Sequence, residues 1–406
     1  MENNKTPSIR FKGFTDPWEQ RKFDEAFIER REKTEQENED TLLSCAISGM
    51  FLNSELFGHF RGTTTIGYLR VKKNDLILSA QNLHLGNANV NLRFEHGIIS
   101  PAYKVYNLKN CNPEFVQAWV KKDDTKNFFL AATTEGASQC RKNIEWETLG
   151  KQTIPMPSID EQKQIGSFFE HLDNLITLHQ RKYNKLLNVK KSMLEKMFPK
   201  NGSNIPEIRF KGFTDPWEQR KLGELSSSFE YGLNAAAKEY DGENKYIRIT
   251  DIDDESREFK QEDITSPDTD LSSAENYKLS EGDILFARTG ASVGKSYIYK
   301  ASDGLVYYAG FLIRARIKPE YNSEFVFQNT LTGDYEKFIK VTSMRSGQPG
   351  VNAQEYSQYQ IMMPSKPEQD KISDCLRNLD NLITLHQREL EKLQNIKKSM
   401  LEKMFV

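Results

Sequence analysis

Two loops in the second half of the 406-residue chain combine glycines with side chains that could bind DNA. A glutamine or asparagine amide can form two hydrogen bonds with adenine in the major groove, and an arginine can bind N7 and O6 of guanine. Because polar loops are most often only solvated, this chemistry favours DNA reading without proving it. The candidate residues in the two loops are Arg288, Thr289, Ser292, Lys295, Arg345, Ser346, Gln348 and Asn352.

The first half of the chain offers the same residue types in less regular order. The stretch that corresponds to the second loop contains Gln139, Arg141, Lys142 and Asn143. Further candidates are Arg70, Lys72 and Lys73 on one predicted strand edge, and Gln81, Asn82 and His84 just after another strand. Cations of this kind would position a duplex through its phosphates, whereas the amides would read base edges.

The segment Gly290–Ser296, which reads GASVGKS, invites comparison with a nucleotide-binding loop. A phosphate-binding loop needs four residues between its glycines, and this segment has three. In a phosphate-binding loop, a helix begins directly after the loop, and its N-terminus faces the phosphates. Here the residues from Ser296 onward are predicted to form a strand instead. We therefore interpret the segment as a loop joining two strands, with its polar side chains projecting as donors. Glycines that serve only the structure are an equally open interpretation, and a nucleotide-binding assay would test the remaining alternative of a P-loop enzyme.

Catalytic motifs are not found in the sequence. There is no HExxH, no GxSxG, no convincing nuclease cluster and no glycine-rich turn typical of an S-adenosylmethionine site. Asp16-Pro-Trp18 and its copy Asp215-Pro-Trp217 lack one proline of the Asp-Pro-Pro-Tyr signature of amino-methyltransferases. A turn anchored by a buried tryptophan is the better interpretation. We expect no catalytic, cofactor-binding or metal-binding residues in this chain.

The composition restricts the partners and the compartment. The 56 Lys and Arg residues against 58 Asp and Glu give a net charge of -2, so a polyanion would need a local concentration of charge. Four scattered cysteines without a CxxC pair support neither a disulfide framework nor structural zinc, and they predict a reducing compartment. The N-terminus has no apolar signal segment, and no run approaches the roughly 18 apolar residues of a membrane span. We expect a soluble, cytoplasmic protein.

The chain is a tandem duplication. Residues 9–22 (IRFKGFTDPWEQRK) return unchanged as residues 208–221. Near the end of each half, LDNLITLHQR recurs at 172–181 and 379–388, and KKSMLEKMF recurs at 190–198 and 397–405. Solenoid units of roughly 20 to 45 residues recur at least three times, so two copies of this size indicate a pseudo-dimer instead.

Between the identical segments lie two inserts that have diverged. Because the repeated segments are identical and the inserts differ, we predict that the repeated segments form a common frame with the same role in both halves. The inserts are predicted to perform two different versions of a second role. We predict a frame segment at 1–22, a first recognition domain at 23–156, a first long helix at 157–200, a repeated frame segment at 201–221, a second recognition domain at 222–363 and a second long helix at 364–406.

The local patterns predict an α+β fold. Residues 159–198 and their copy carry apolar positions at spacings of three and four, which predicts helices of about 40 residues and roughly 60 Å. The two helices are the obvious partners for each other as an antiparallel coiled coil between pseudo-twofold-related halves, with His179 and His386 as packed seam residues. The inserts read as short strands bounded by turns, for example at 76–79, 284–287 and 311–317.

The repeated motifs resemble those of the specificity subunit of type I restriction-modification systems over essentially the whole chain. Each half opens with IRFxGFxDxWEQRK and closes with a proline, a Glu-Gln pair, LDNLITLHQR and KKSMLEKMF. The Glu-Gln pairs are Glu161-Gln162 after Pro157 and Glu368-Gln369 after Pro364. The resemblance implies that the inserts are two target-recognition domains, each reading one half of a bipartite, asymmetric DNA sequence, and that the helices set the gap between the halves.

The resemblance also implies the partners. These are double-stranded DNA, two methyltransferase subunits that modify adenine N6 with S-adenosylmethionine, and restriction subunits that translocate and cut DNA with ATP and Mg. The specificity subunit of that family carries no chemistry of its own. The first insert departs from the second because it lacks the Arg-Thr-Gly loop of Arg288–Gly294 and has residues 78–86 (LSAQNLHLG) instead. A coiled-coil scaffold with two protein-binding inserts is the alternative, which sequence-dependent DNA binding would exclude.

Overall fold

The computed structural model describes residues 6–58, 62, 64–138, 141–200, 202–344 and 348–406, with the backbone alone for 135–138 and 141–143. The chain divides into two units. The first contains Met1–Gln180 and Glu389–Val406, and the second contains Arg181–Arg388. Each unit thus combines most of one half of the chain with a helix end that belongs to the other half.

The first unit is a mixture of short strands and helices followed by a long helix. Its strands are β1 (Glu19–Lys22), β2 (Phe27–Arg30), β3 (Leu43–Ala46), β4 (Gly49–Leu52), β5 (Leu69–Lys72), β6 (Leu76–Ser79), β7 (Ala88–Val90), β8 (His96–Ile99), β9 (Tyr103–Leu108), β10 (Thr133–Ser138), β11 (Arg141–Ile144) and β12 (Thr153–Met156). Its helices are α1 (Phe23–Ala26), α2 (Asn53–Leu56), α3 (Pro113–Lys121), α4 (Asp123–Leu130), α5 (Trp146–Lys151) and the first part of α6 (Ile159–Lys196).

The second unit has the same kinds of elements in a similar order. Its strands are β13 (Glu218–Lys221), β14 (Ser226–Tyr231), β15 (Ala236–Glu239), β16 (Lys245–Ile247), β17 (Thr265–Asp268), β18 (Ile284–Ala287), β19 (Ser296–Ile298), β20 (Val306–Tyr308), β21 (Leu312–Ile317) and β22 (Gln360–Met363). Its helices are α7 (Leu222–Leu225), α8 (Ser323–Asn329), α9 (Gly333–Thr342), α10 (Ala353–Ser357), the first part of α11 (Lys366–Lys403) and the last part of α6. The last part of α11 belongs to the first unit.

The central sheets of the two units share one topology. The strand order is β2-β9-β6-β7 in the first unit and β14-β21-β18-β19 in the second, with antiparallel neighbours in both. The inner strands β6 and β18 are buried along their whole length, which explains their continuous apolar sequences. The α+β fold predicted from the sequence is confirmed, and the diverged inserts prove to be two versions of one sheet.

An aspartate orders the turn before each inner strand. Asp75 accepts a hydrogen bond from the backbone N–H of Lys72, and Asp283 accepts one from Ser280 at 2.9 Å. Arginines from other strands of the same sheet, Arg30 on β2 and Arg316 on β21, bind these carboxylates. Burial raises the pKa of Asp75. These contacts explain why both inserts keep an aspartate directly before the inner strand, as Asp75-Leu-Ile-Leu and Asp283-Ile-Leu-Phe, although they otherwise differ.

The repeated frame joins each sheet to a long helix. Arg10 donates to both carboxylate oxygens of Glu161, from Nε at 2.6 Å and from Nη2 at 2.8 Å, and Arg209 binds Glu368 in the same way at 2.7 and 2.8 Å. The hydrogen bonds to Glu161 raise the pKa of Arg10. The frame strands also pair at equivalent places, β1 with β12 and β13 with β22.

The glutamine of each Glu-Gln pair ties the helix start to the recognition insert. Gln162 accepts from the backbone N–H of Asn112 at 2.9 Å and donates to the carbonyl of Pro157 at 3.0 Å. Gln369 makes the same two bonds with Asn322 and Pro364, both at 2.9 Å. The buried Glu-Gln pair is therefore a structural joint.

The tryptophan of each Asp-Pro-Trp motif is buried in an aromatic cluster. Trp18 packs edge-on against Phe115 at 6.0 Å and Phe405 at 6.2 Å between ring centroids. In the second unit, Trp217 contacts Phe325 and Phe198. The interpretation of these motifs as turns anchored by buried tryptophans is confirmed. Phe405 and Phe198 come from the KKSMLEKMF segments, so each cluster includes the helix end from the other half of the chain.

Within each unit, the two helical segments run antiparallel. In the first unit, Phe169 packs on Phe405 with 5.9 Å between the ring centroids. Asp173, which follows Phe169 by four residues, binds Lys397, which precedes Phe405 by eight. In the second unit, Lys190 binds Asp380 at 2.5 Å, and Met193 shares a core with Leu376.

Within the described part of the chain, none of the helices has both the length and the apolar character that a membrane crossing requires.

Candidate nucleic-acid interface

Three loops of the second unit meet at one corner of its central sheet. The backbone N–H of Arg288 donates to Phe311 at 3.1 Å, and the Arg288 carbonyl accepts from Val351 at 2.9 Å. Thr289 forms a bridge with Gly350, and the N–H of Gly290 donates to Pro349 at 3.1 Å. Backbone hydrogen bonds therefore hold both predicted loops side by side. We call this area the loop surface and define it by Tyr231, Arg288, Thr289, Phe311, Gln348 and Asn352.

Arg288 lies between two aromatic rings on the loop surface. Its Cζ atom is 5.1 Å from the Tyr231 ring centroid and 5.9 Å from that of Phe311. Both rings are unusually accessible, with 44% of Tyr231 and 62% of Phe311 exposed. The Tyr231 hydroxyl accepts from the backbone N–H of Ala353 at 3.2 Å. A guanidinium packed on aromatic faces is pre-ordered while its N–H donors remain available.

The two amide side chains predicted to bind DNA in the second loop, Gln348 and Asn352, differ in whether a hydrogen bond within the protein already engages them. Gln348 is exposed, and a Cβ atom at Gly290 would lie 3.4 Å from its Nε2. Asn352 caps α10, because its side-chain oxygen accepts from the N–H of Glu355 at 2.9 Å. Gln348 is therefore the more available of the two for a base. Arg345 and Ser346, predicted in the same loop, lie outside the described residues.

Lys295 differs from the expectation that it projects from its loop. The residue is 8% exposed, and its Nζ donates to the carbonyl of Ile252 at 3.1 Å and pairs with the Asp254 carboxylate. The hydrogen bond from Lys295 lowers the pKa of Asp254. The ammonium points inward, where the Ile252 carbonyl accepts its hydrogen bond and the Asp254 carboxylate balances its charge. A phosphate contact by Lys295 stays a prediction and would require this pair to open.

The glycine-bearing loop joins two strands, as the sequence predicted. It lies between β18 and β19, and no helix starts at Lys295. Gly294 has a φ of +86°, and a Cβ atom there would be 2.7 Å from Ile339. Gly294 is thus required by the structure, since α9 packs directly on the loop. Ser292 is half-buried beside it, and its carbonyl accepts from the Lys295 N–H at 3.0 Å.

The corresponding corner of the first unit has different side chains. The N–H of Ala80 donates to Ala102 at 3.1 Å, which is the bond that Arg288 and Phe311 form in the second unit. Gln81 and Asn82 follow directly and are exposed, while His84 is half-buried in a short turn. This corner therefore offers amides where the second unit offers an aromatic-bound guanidinium.

The predicted cations of the first unit are paired with carboxylates on its surface. Arg70 binds Glu39 and donates to the Lys33 carbonyl at 3.2 Å. The Lys72 amine lies 3.3 Å from Glu32, and the Lys73 amine lies 2.5 Å from Glu95. Because exposed ion pairs contribute only about 0 to 1 kcal/mol, a phosphate could displace these carboxylates.

The remaining candidates of the first unit lie in or beside a hairpin of β10 and β11. Arg141, Lys142 and Asn143 belong to β11, whose side chains at these positions are not described, and Gln139 lies outside the described residues. Their role in DNA binding stays a prediction.

Among the described residues, no group of three His, Cys, Asp or Glu side chains could hold a metal ion.

The sequence reasoning missed Tyr231 and Phe311. The apolar sequence predicts Phe311 as the first residue of a strand, where an apolar side chain normally points into the core. Gly310 immediately before it was the available signal, since a glycine at a sheet corner often marks a close approach of backbone segments.

Two units with one sheet topology and different polar corners define a two-part recognition protein. The chain belongs to the family described as the type I restriction modification DNA specificity domain, whose model matches residues 3–188 and again 214–395. It is therefore a DNA-specificity component of a type I restriction-modification system.

Individual relatives agree with this membership. The type I restriction enzyme MjaVIII specificity subunit of Methanocaldococcus jannaschii is 24% identical over 355 residues, covering 82% of this chain and 78% of the relative. The EcoKI specificity subunit of Escherichia coli K12 is 23% identical over 278 residues, covering 65% and 59%. The crystal structure of a type I S subunit from M. genitalium matches with a TM-score of 0.61 at 16% identity over 99% of both chains, which shows that the fold is shared.

Proposed function

We propose that the two units read the two halves of a bipartite, asymmetric DNA target, and that the chain does so as a non-catalytic subunit. The observation that carries this proposal is the reuse of one frame and one sheet topology with different side chains at the same corner. Ala80 and Ala102 in the first unit replace Arg288 and Phe311 in the second, so the half-sites should differ in sequence.

The partners follow from surface residues that are repeated without change. Leu175 and Leu178 are exposed on α6, and their copies Leu382 and Leu385 are exposed on α11. The same pair of half-exposed leucines at equivalent positions in both halves supports the binding of two copies of one partner. We infer that these are methyltransferase subunits that use S-adenosylmethionine, joined in the cytoplasm by restriction subunits that use ATP and Mg.

Methylome sequencing tests this function directly. The source strain should carry methyladenine in one bipartite motif with unequal halves, and deletion of the gene should abolish that methylation. Complementation with the wild-type gene is the control and should restore it. An unchanged methylome after deletion would contradict the proposal.

A binding measurement separates DNA reading from a scaffold role. With the methyltransferase partner present, the chain should bind the motif at least about a thousandfold more tightly than an unrelated duplex at the same salt concentration. Equal affinity for both duplexes would favour a scaffold whose inserts bind proteins.

A further inference from the structure

The loop surface of the second unit presents two different chemical groups next to each other. The Arg288 guanidinium is packed on aromatic rings, and no hydrogen bond or ion pair to it is found among the described residues. The neighbouring Phe311 ring is 62% exposed at the same corner. A pre-ordered donor fork and an apolar ring are therefore accessible to solvent side by side.

Each group has one good complement in the DNA major groove. A guanidinium fork matches N7 and O6 of guanine, and the C5-methyl group of thymine is the apolar group that an aromatic ring can contact. The Arg288 Cζ atom and the Phe311 ring centroid are 5.9 Å apart. Since bases rise by about 3.4 Å per step, the two groups span no more than about two steps.

We propose that Arg288 reads a guanine and that Phe311 reads the methyl group of a thymine within two steps of it, in the half-site of the second unit. Tyr231 is a positioning residue that holds the guanidinium in place through its ring. The inference rests on the proposed function, because it requires the loop surface to enter the major groove. It also predicts that the first half-site is read differently, since Ala80 and Ala102 occupy the equivalent corner.

The first test is the target sequence itself. The half-site assigned to the second unit should contain a guanine and a thymine on either strand no more than two steps apart. The assignment comes from exchanging the first insert, because the half-site that stays constant belongs to the second unit. A constant half-site without such a pair would overturn the proposal even though the proposed function stood.

Modified duplexes then isolate each contact. The full-length chain, assembled with its methyltransferase partner, is titrated with targets in which deoxyuridine replaces each thymine and 7-deazaguanine replaces each guanine. Loss of the thymine methyl should weaken wild-type binding about fourfold at one position, and loss of guanine N7 should weaken it roughly fivefold to tenfold at another. Phe311→Ala should abolish the deoxyuridine effect, and Arg288→Ala should abolish the 7-deazaguanine effect.

Arg288→Lys distinguishes base reading from simple attraction to phosphate. Lysine keeps the charge but loses the fork, so binding to the matched target should fall at least fivefold while the slope of affinity against salt stays unchanged. Ile47→Ala, which shortens an exposed apolar side chain in the first unit, is the matched control and should change neither value. Wild-type affinity in Arg288→Lys, or modified-base effects that persist in the alanine variants, would overturn the proposal. Loss of all sequence preference in the wild-type complex would instead contradict the proposed function itself.

Discussion

Glu161 lies at the start of α6, and both of its carboxylate oxygens accept hydrogen bonds from Arg10. Because the carboxylate is fully buried, Glu161→Gln would leave the guanidinium beside a neutral amide. We expect a loss of about 2 to 4 kcal/mol in the free energy of unfolding, measured by urea denaturation of the full chain. Glu170→Gln, an exposed position on the same helix, is the control. Equal stability of the two variants would show that the pair is dispensable.

Lys121 should make the stability of the first unit depend on pH. Its amine donates to the carbonyls of Ile47 at 2.8 Å and Ala88 at 2.9 Å, and desolvation lowers its pKa to about 8. The folded form then loses the proton near pH 8, whereas the unfolded chain keeps it to about pH 10.4. The unfolded state therefore binds more protons in this window, and the free energy of unfolding should rise with pH by up to about 3 kcal/mol. Unfolding of Lys121→Met at several pH values should lack this contribution, and parallel curves for both proteins would refute it.

Lys295 provides a sharp distinction between a structural and a DNA-binding cation. Because its amine is buried against Asp254 and Ile252, Lys295→Met should lower the stability of the second unit. The slope of DNA affinity against salt should stay unchanged as long as this pair stays closed in the complex. Titration of the matched target at several salt concentrations is the measurement. A slope reduced by about one, as expected for a lost phosphate contact, would show that the ion pair opens on binding.

The difference between Lys295 and Phe311 marks the limit of sequence reasoning at single positions. The residue types located the loop correctly, because glycines between two apolar strand sequences indicate a turn. They could not show that Asp254, 41 positions earlier, would neutralise the lysine, or that Phe311 would face outward. Both outcomes depend on contacts between segments far apart in the sequence.

At the level of elements, one ion pair recurs between the helices. Asp173 binds Lys397 in the first unit, and its copy Asp380 binds Lys190 in the second. Asp173→Lys should lower the melting temperature, because it places two cations together, and the added Lys397→Asp should recover most of the loss. The coupling energy of this partly exposed pair should be about 0.5 to 1 kcal/mol. Additive effects of the two substitutions would mean that the segments do not depend on this contact.

The elements that the sequence predicted well are those with a strong apolar pattern. The strands at 76–79 and 284–287 have the predicted bounds, because both are buried on every side. The frame strands β1 and β13 were not predicted. Their sequence, Glu-Gln-Arg-Lys, has no apolar alternation, and they form because distant strands supply their backbone hydrogen bonds.

At the scale of the whole molecule, the repeat predicted two related halves but not the composition of the units. Each unit takes its last helical segment from the other half, which places Phe405 beside Trp18 and Phe198 beside Trp217. The shared apolar pattern predicted that the two long helices pair with each other, but it did not show which core each helix end would complete. That choice depends on packing geometry, which a sequence period does not contain.

The independence of the two inserts is testable by exchange. Residues 23–156 replaced by the insert of a relative should change one half-site and leave the other unchanged, as read by methylome sequencing. The structure adds two conditions, because β12 at the end of the insert pairs with the frame strand β1, and Phe115 inside the insert packs on Trp18 of the frame. A chimera that keeps the pairing sequence of β12 and an aromatic residue at position 115 should fold and assemble.

A matched chimera with alanine at position 115 should lose stability by about 3 to 5 kcal/mol, because the cavity would open beneath the frame tryptophan. That loss should appear in the melting temperature and in assembly with the methyltransferase partner. The sequence of the second half-site should stay the same in any complex that still forms, since the second unit has its own core. If both half-sites changed together in the well-folded chimera, the two units would not read DNA independently.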